Sequence, residues 1–385
     1  MSERKIHILH VMANNASVPY FHWYADLAKH ETDIELSFLL LVNETRPSMV
    51  EEMKEKNYPV HVIPFDPLKR KLSMLIAIPR IRKLLKRINP DVIHTHLFDE
   101  SVPALIAARL ERIPVRVITK GDTAFHWNYA KKGVRFDRMN NKNATHIFAL
   151  SSESKAFILE KENADPEKVY LVPHGIPIAK MTAQHEDVKK NLCAQFGLNS
   201  DHIIIGTISR FIEWKGYREI VLAAEIIVKE FPNVRFLFAG KGEQREEIEA
   251  LVRAKKLENN IIFCGRIDPK EIASFYGIMD IYVHAAMMEP FGFVIAEAMA
   301  NALPLVSTNT GAAGDGIENG VNGIFAERTG EDLSNGIRKL IRMSVAERKE
   351  IGKKAAATAA TKFSIERMWL DHVTIYRNAT NKTKR

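Results

Sequence analysis

Short apolar runs alternate with longer amphipathic stretches along the whole chain. Runs such as Ile6–Met12, Ile34–Val42 and Val115–Thr119 have the composition of buried strands in a parallel sheet. Stretches between them, such as Leu72–Arg87, place apolar residues at helical spacing. The alternation therefore predicts βαβ units and a doubly wound α/β fold. The other strands predicted in the first half are Val60–Pro64, Val92–His94, His146–Leu150 and Val169–Val172.

The alternation pauses over Pro173–Asn199, where two prolines and two glycines predict a linker. It then restarts and ends in a helix predicted over Phe363–Asn378. Two tandem α/β domains follow, with a ligand site expected in a cleft between them, at the carboxyl ends of their strands. The strands predicted in the second half are Ile203–Ile208, Val234–Ala239, Ile261–Cys264, Ile281–Val283, Leu305–Ser307 and Gly323–Phe325.

Composition narrows the class of protein. The 385 residues include 46% hydrophobic and 26% charged residues, which excludes a disordered chain, a collagen and a coiled coil. Two cysteines cannot build a disulfide framework or a zinc cluster. No signal peptide or membrane-length apolar run is apparent, so we expect a cytoplasmic protein. The net charge of +8 suits an anionic partner.

The segment 284–298 carries two carboxylates, of which Glu297 lies where a charge is costly unless it is paired or faces a cleft. Glu289 lies in the loop after the strand that ends at Val283. Glu297 lies within an otherwise apolar helix that begins near Gly292. The free N–H groups at the start of such a helix favour anions and hydroxyl oxygens. Either carboxylate alone also fits a plain structural role.

A second motif, Ser209-Arg210…Lys215-Gly216, directly follows the first strand of the second half. Two cations at the carboxyl end of a strand suit a diphosphate, Arg as a fork and Lys as a point charge. We expect both side chains to be exposed, so that their removal leaves the fold intact. Glycine turns follow at Gly240 and Gly265, and each of them also fits an ordinary tight turn.

The order and spacing of these motifs resemble the retaining GT-B glycosyltransferases of family four, the glycosyl transferases group 1. In the second half the matching motifs are Ser209-Arg210…Lys215-Gly216, Gly240-Lys241-Gly242, Gly265-Arg266-Ile267, Glu289…Glu297, Gly311…Asp315 and Asn319-Gly320-Val321-Asn322-Gly323. The first half resembles the family more loosely, through Asp91-Val92-Ile93-His94-Thr95-His96, Leu150-Ser151 and Val172-Pro173-His174-Gly175-Ile176.

The resemblance implies two Rossmann-like domains that face each other across a cleft. The expected boundaries are 1–180 for an acceptor-side domain, 181–360 for a nucleotide-sugar-binding domain and 361–385 for a helix that crosses back to the first domain. The implied activity is the transfer of a hexosyl group from a nucleotide sugar to a glycan or lipid-linked acceptor in cell-surface polysaccharide or glycolipid synthesis. UDP-sugars are favoured over GDP-sugars as the donor.

The resemblance also implies a role for each site residue. Arg210 and Lys215 would clamp the diphosphate and stabilise it as leaving group, and Glu289 would bind the hydroxyls of the donor sugar. These three are the catalytic residues that it implies. Glu297 would bind the ribose, and Ile267 would lie against the base. The full set at the donor is Arg210, Lys215, Gly240, Gly265, Ile267, Glu289, Phe291, Gly292, Phe293 and Glu297. No cofactor and no metal is expected, because the two cations take the place of Mg²⁺.

The chain departs from the family at two places. The Gly-Gly acceptor loop of the family is Ala13–Pro19 here, and the pocket His after the fifth strand is absent from Ile118–Asp122. Lys120, Asp122 and His126 are the alternatives for that place. Two other functions remain open, namely a nucleotide-sugar epimerase of the same architecture and a non-catalytic binder of nucleotide sugars or nucleic acid. No nucleic-acid motif with interleaved aromatics is apparent, so we expect no such partner.

The stretch from Leu68 to Arg87 has the pattern of an amphipathic helix with Lys and Arg on its polar side. Such a helix can rest on anionic lipid at the inner face of the cell membrane, where it would bring the site to a lipid-linked acceptor. It also fits a surface helix that covers the first sheet. Pro79 is expected to interrupt it.

Overall fold

The computed structural model describes residues 4–13, 19–43 and 47–383, without the side chains of Pro19, Tyr20 and Thr383. It divides the chain into two compact units. Unit 1 contains Met1–Val172 together with Met368–Arg385, and unit 2 contains Pro173–Arg367. Each unit is built on a parallel sheet. The predicted α/β class, with two Rossmann-like domains, is confirmed.

The sheet of unit 1 has the strand order β3-β2-β1-β4-β5-β6-β7. Its strands are β1 (Ile6–Met12), β2 (Ile34–Val42), β3 (Val60–Pro64), β4 (Val92–Thr95), β5 (Val115–Thr119), β6 (His146–Ala149) and β7 (Val169–Leu171). The order reverses between β1 and β4, and a crevice opens at such a switch point, outside the carboxyl ends of the strands. The helices are α1 (Pro19–Ala28), α2 (Ser48–Glu55), α3 (Arg70–Ile88), α4 (Phe98–Leu110), α5 (Phe125–Tyr129), α6 (Val134–Asn143) and α7 (Ser152–Glu160).

The sheet of unit 2 has the order β10-β9-β8-β11-β12-β13, with its switch point between β8 and β11. Its strands are β8 (Ile203–Ile208), β9 (Val234–Ala239), β10 (Ile261–Gly265), β11 (Ile281–His284), β12 (Leu305–Ser307) and β13 (Ile324–Phe325). The helices that begin in this unit are α8 (Ile178–Met181), α9 (Glu186–Gln195), α10 (Tyr217–Glu230), α11 (Arg245–Ala254), α12 (Ile272–Tyr276), α13 (Phe293–Ala300), α14 (Gly311–Gly316), α15 (Gly330–Arg342), α16 (Val345–Lys362) and α17 (Ile365–Thr383).

Burial explains why these segments form these elements. Strand side chains such as Phe236 and Val283 are fully buried, and they pack with Ile220 of α10 and Ile337 of α15 into one core. In unit 1, Leu9 and Ile93 pack with apolar side chains of α3 and α4 in the same way. Parallel strands covered by helices on both faces have no polar face, which is why they read as continuous apolar runs.

Two expectations about local structure were wrong. The predicted linker over Pro173–Asn199 contains the helices α8 and α9. Both are short, and the prolines and glycines around them favoured the prediction of a linker. Pro79 does not interrupt α3, which is continuous from Arg70 to Ile88. Proline removes one backbone hydrogen bond there, and the buried Ala77 and Ile81 on either side of it hold both halves of the helix on the sheet.

Helix α17 begins in unit 2, and its residues from Met368 onward belong to unit 1. There, His94 Nδ1 lies 2.6 Å from the Tyr376 hydroxyl, and Arg377 forms ion pairs with Glu31 and Asp33. These contacts join α17 to β4 and to the residues just before β2. Among the described residues, no helix combines the length and the apolar character that a membrane span requires.

Candidate active site

Lys215 lies just beyond the carboxyl end of β8, at the switch point of unit 2. A short 3₁₀ turn, Glu213–Lys215, ends at Gly216, whose φ of 75° is in the left-handed region. A Cβ at Gly216 would collide with the backbone carbonyl of Ala285. Glycine is therefore required for the loop after β8 to lie directly against the loop after β11.

This close approach pairs Lys215 with Glu289. The Lys215 ammonium forms an ion pair with Oε1 of Glu289, and Nε2 of His284 lies 3.0 Å from the same oxygen. Only 6% of Glu289 is exposed. Burial alone would raise the pKa of Glu289, but the hydrogen bond from His284 and the charge of Lys215 outweigh it and lower the pKa to about 2. Glu289 is consequently an ionised acceptor at neutral pH.

The two predicted cations differ in their surroundings. Arg210 is exposed at the end of β8, and within the part of the chain that the structure describes its guanidinium makes no ion pair. Lys215 is only 12% exposed and is paired, so the expectation that both cations are exposed was wrong for Lys215. The reason is a contact between residues 74 positions apart, which local sequence patterns do not reveal.

Helix α13 begins beside Glu289. Gly292 is its N-cap, with φ 84°, and the N–H of Ile295 donates to the Gly292 carbonyl at 3.0 Å. The carbonyl of Phe291 accepts a hydrogen bond from the N–H of Ala312, so the loop is held against the start of α14. A carboxylate, an ammonium group and a helix N-terminus are therefore gathered where a phosphate or a sugar hydroxyl can bind.

Glu297 faces a different partner. Its Oε2 accepts a hydrogen bond from the Tyr276 hydroxyl at 2.8 Å. Burial raises the pKa of Glu297, and the hydrogen bond from Tyr276 only partly offsets it. Glu297 is therefore supported by a neutral donor, whereas Glu289 is supported by a cation.

The two predicted glycine turns lie side by side. The N–H of Gly240 donates to the carbonyl of Gly265 at 2.7 Å, which joins the ends of β9 and β10. A Cβ at Gly240 would collide with the carbonyl of Ser209, so this turn also packs against the loop after β8. Ile267 follows β10 and is half-buried.

Sequence reasoning assigned no role to three side chains that complete this part of unit 2. His284 and Tyr276 hydrogen-bond the two carboxylates, and the ring of His174 stacks on Phe293 at 5.1 Å. The sequence offered one indication for His284, because it is a polar residue at the carboxyl end of an otherwise apolar strand. Burial lowers the pKa of His174 to about 3, so its ring is neutral in the fold.

Replacing His174 by Asn is expected to weaken the loss of stability in acid. The pKa of His174 is lower in the fold than in the unfolded chain, so below about pH 6.5 the unfolded chain binds more protons. The free energy of unfolding therefore decreases as the pH is lowered. Between pH 7.5 and pH 5 the loss of unfolding free energy due to His174 amounts to about 2 kcal/mol, and the Asn variant should lack it. Urea unfolding at both pH values measures it, with the exposed His185→Asn as control. An unchanged pH dependence in His174→Asn would contradict the assignment.

In unit 1, the three alternatives for the missing pocket His differ in their burial and in their polar contacts. Lys120 is buried, with its Nζ 2.9 Å from Glu162 and 3.6 Å from Asp137. Nδ1 of His126 lies 2.9 Å from the other oxygen of Asp137. Asp122 is partly exposed in the turn after β5. Lys120 is thus held in an internal ion network, whereas Asp122 is accessible.

Two tandem doubly wound parallel sheets are the architecture of the GT-B class of proteins, and here the second sheet carries a cation, a carboxylate and a helix N-terminus at its switch point. The family models agree with this class. The model for glycosyl transferases group 1 matches residues 188–358, and the model for glycosyltransferase family 4 matches residues 33–180. The chain belongs to the group 1 glycosyltransferases.

Individual relatives are distant. The capsular polysaccharide biosynthesis glycosyltransferase CapM of Staphylococcus aureus is 24% identical over 375 residues, covering 88% of this chain and 95% of CapM. The alpha-monoglucosyldiacylglycerol synthase of Acholeplasma laidlawii is 25% identical and covers 84% of this chain and 86% of its own. The crystal structure of Anabaena HepE in complex with UDP and glucose has a TM-score of 0.78 at 22% identity, covering 96% of this chain and 98% of HepE.

Proposed function

We propose that this protein is a retaining glycosyltransferase that moves a sugar from a nucleotide-sugar donor to a glycan or lipid-linked acceptor. The observation that carries the proposal is the cluster of Lys215, Glu289 and His284 beside the start of α13. The name of the relative CapM refers to polysaccharide synthesis, and that of alpha-monoglucosyldiacylglycerol synthase refers to glycolipid synthesis. A UDP-sugar is the favoured donor, because HepE was solved with UDP and glucose.

Arg210 and Lys215 would bind the diphosphate. Arg210 is exposed and carries two N–H edges that suit phosphate oxygens, while Lys215 offers three donors, of which Glu289 occupies one. Negative charge on the diphosphate grows as the donor bond breaks, so both cations bind the transition state more strongly than the ground state. They supply the charge compensation that a divalent ion provides in other enzymes, and we propose that no cofactor or metal is needed.

The two carboxylates would bind the donor at two places. Glu289, ionised and fixed by Lys215 and His284, would accept hydrogen bonds from sugar hydroxyls beside the N–H groups of Gly292 and Phe293. Glu297 would accept hydrogen bonds from the ribose. Gly240 and Gly265 leave room for the backbone to approach the nucleotide, and Ile267 would lie against its base.

Retention of configuration follows from attack on the face that the diphosphate leaves. The bond between the anomeric carbon and the diphosphate oxygen breaks while the acceptor oxygen bonds to the same face of that carbon. The acceptor's hydroxyl proton passes to the leaving phosphate oxygen. No enzyme nucleophile is needed in this step, and the role of the protein is to hold both substrates and to stabilise the diphosphate.

A donor screen tests the proposal. Thermal shifts with UDP-, GDP- and ADP-sugars identify the nucleotide, and release of free nucleotide in the presence of acceptor measures transfer. The anomeric configuration of the product, read by NMR coupling constants, tests retention. Interconversion of the sugar without nucleotide release would instead identify an epimerase, and binding without either reaction would identify a non-catalytic protein.

Helix α3 supports a contact with an anionic membrane on the cytoplasmic side. Its first half exposes Leu72, Leu75 and Ile76 after the basic residues Arg70 and Lys71, and its second half exposes mainly basic side chains. A cavity of about 630 Å³ between the basic half and the edge strand β3 is lined by Arg80, Lys83, Lys86 and Arg87, with no acidic residue. Exposed apolar side chains next to clustered cations are the pattern of an interfacial helix.

Reversing two charges, as Lys83→Glu with Lys86→Glu, is expected to weaken vesicle binding at least tenfold. Each cation near an anionic surface contributes about 1 kcal/mol, and the effect should shrink at high salt. Co-sedimentation with phosphatidylglycerol vesicles measures the change, and phosphatidylcholine vesicles should bind neither protein. The matched control reverses the exposed Lys349 and Lys354 of unit 2. Equal losses in both double variants would contradict a contact through α3.

A further inference from the structure

Three aromatic side chains of the short helix α5 are exposed. Phe125 and Tyr129 are each 42% exposed and Trp127 is 39% exposed, although aromatic rings contribute most to folding when they are buried. Phe125 and Tyr129 lie on one side, with ring centroids 5.8 Å apart, while Trp127 turns to the edge of Phe157. The folded chain alone does not explain why a five-residue helix presents this much apolar surface.

The helix is held firmly by the residue between these rings. His126 is 6% exposed, its Nδ1 lies 2.9 Å from Asp137, and its ring meets the edge of Phe98 at 4.3 Å. Asp137 in turn lies beside the buried Lys120. Ala124, at the start of the helix, has a φ of 65°, a conformation that a residue with a Cβ adopts only where its surroundings impose it. The exposed pair is therefore pre-organised for a ligand.

The position of the pair indicates the kind of ligand. Helix α5 follows the carboxyl end of β5, next to β4, and ligands of doubly wound sheets bind at that end of the strands. Asp122 begins the turn that leads into the helix, where its carbonyl accepts from the N–H of Phe125 at 3.1 Å, and its carboxylate is partly exposed. Two exposed rings, inclined to each other by 39°, with a carboxylate in the turn before them, match a pyranose, which has an apolar C–H face and a rim of hydroxyls.

We propose that Phe125 and Tyr129, with Asp122 in the turn before them, form a stacking platform for a pyranose ring of the acceptor glycan. This inference rests on the proposed transferase function and names the acceptor's chemical class within it. The rings would cover the C–H face of the sugar, and the Asp122 carboxylate would accept hydrogen bonds from its hydroxyl groups. The site would bind a sugar before and independently of the donor.

Saturation-transfer NMR without donor tests the platform directly. The probes are the methyl β-pyranosides of glucose, galactose and N-acetylglucosamine. We expect at least one to receive saturation on the protons of its C–H face, and Phe125→Ala with Tyr129→Ala to weaken its binding about tenfold. Tyr129→Phe should keep the binding, because the ring remains. The matched control is Leu370→Ala, which removes another exposed apolar side chain of unit 1.

Three results would overturn the inference. The first is a wild-type protein that gives no signal with any of the three pyranosides, and the second is a double variant with the wild-type signal. The third is a double variant that keeps its sugar signal but loses binding to phosphatidylglycerol vesicles, since the rings would then be a membrane anchor. Sugar binding in a protein that releases no nucleotide from any nucleotide sugar would refute the transferase and the acceptor role, while leaving the sugar site itself.

Discussion

Lys215→Ala is expected to lower kcat/KM for the nucleotide-sugar donor by about a hundred- to a thousandfold. Removal of one pre-organised donor to a developing negative charge typically has an effect of this size. Arg210→Ala should lower it as well, since its guanidinium would bind the same diphosphate. Steady-state nucleotide release measures both, with Lys270→Ala as a control for the loss of an exposed cation from the same unit. Wild-type activity in both variants would contradict the proposal that these two cations bind the diphosphate.

The two variants should differ in stability. Lys215→Ala leaves the buried carboxylate of Glu289 without its cation, and the loss of one partner from a buried pair typically costs about 3–5 kcal/mol. Arg210 is exposed, so its removal should leave the free energy of unfolding nearly unchanged. Adding Glu289→Gln to Lys215→Ala should restore part of the lost stability, because the stranded charge is gone. Urea unfolding of the four proteins shows whether lost activity reflects lost folding.

Glu289→Gln is expected to reduce the turnover number by about ten- to a hundredfold, with a smaller effect on donor affinity. One charged hydrogen bond to a sugar whose geometry and charge change during transfer is worth about 1.5–3 kcal/mol. Glu297→Gln should chiefly raise the Michaelis constant for the donor, because contacts to a ribose are the same in ground and transition states. The two variants are matched, since both replace a buried carboxylate by its isosteric amide.

The pH dependence of activity provides a further check on Glu289. Its pKa of about 2 means that it stays ionised as the pH falls from 8 to 4, so no loss of activity in that range should be due to its protonation. Because the folded pKa is depressed, the stability that Glu289 contributes is fully present above about pH 4.5 and decreases progressively as the pH falls from there to about 2. If Glu289→Gln changes only donor affinity and Glu297→Gln changes only turnover, the two roles are reversed.

The strands were predictable because their physical requirement is local. A strand covered on both faces must be apolar throughout, so Ile203–Ile208 and Val234–Ala239 could be predicted with their correct bounds. Helices α8 and α9 were missed because they are short and lie among prolines and glycines, where turn propensity outweighs a weak helical period. The acceptor loop Ala13–Pro19, for which the sequence indicated a departure, lies outside the described residues except at its ends.

The chemistry of the site was less accessible to sequence reasoning. The order of motifs indicated that Lys215 and Glu289 act at the same site, but their mutual ion pair depends on how closely two loops approach. That approach is set by the absence of a Cβ at Gly216, together with the packing of the strands beneath. The same holds for His126 and Asp137, whose contact joins α5 and α6 and could not be inferred from spacing.

Helix α17 makes unit 1 a discontinuous domain, which has a consequence for biosynthesis. Strands β1 to β7 leave the ribosome first. Tyr376 and Trp369, which contact His94 and Tyr24, are made only after the whole of unit 2. Unit 2 is a single stretch and can complete its own core as it emerges. The half of the protein that is synthesised first is therefore completed last, and until α17 arrives it exposes an aromatic and histidine-rich face on which a chaperone can act.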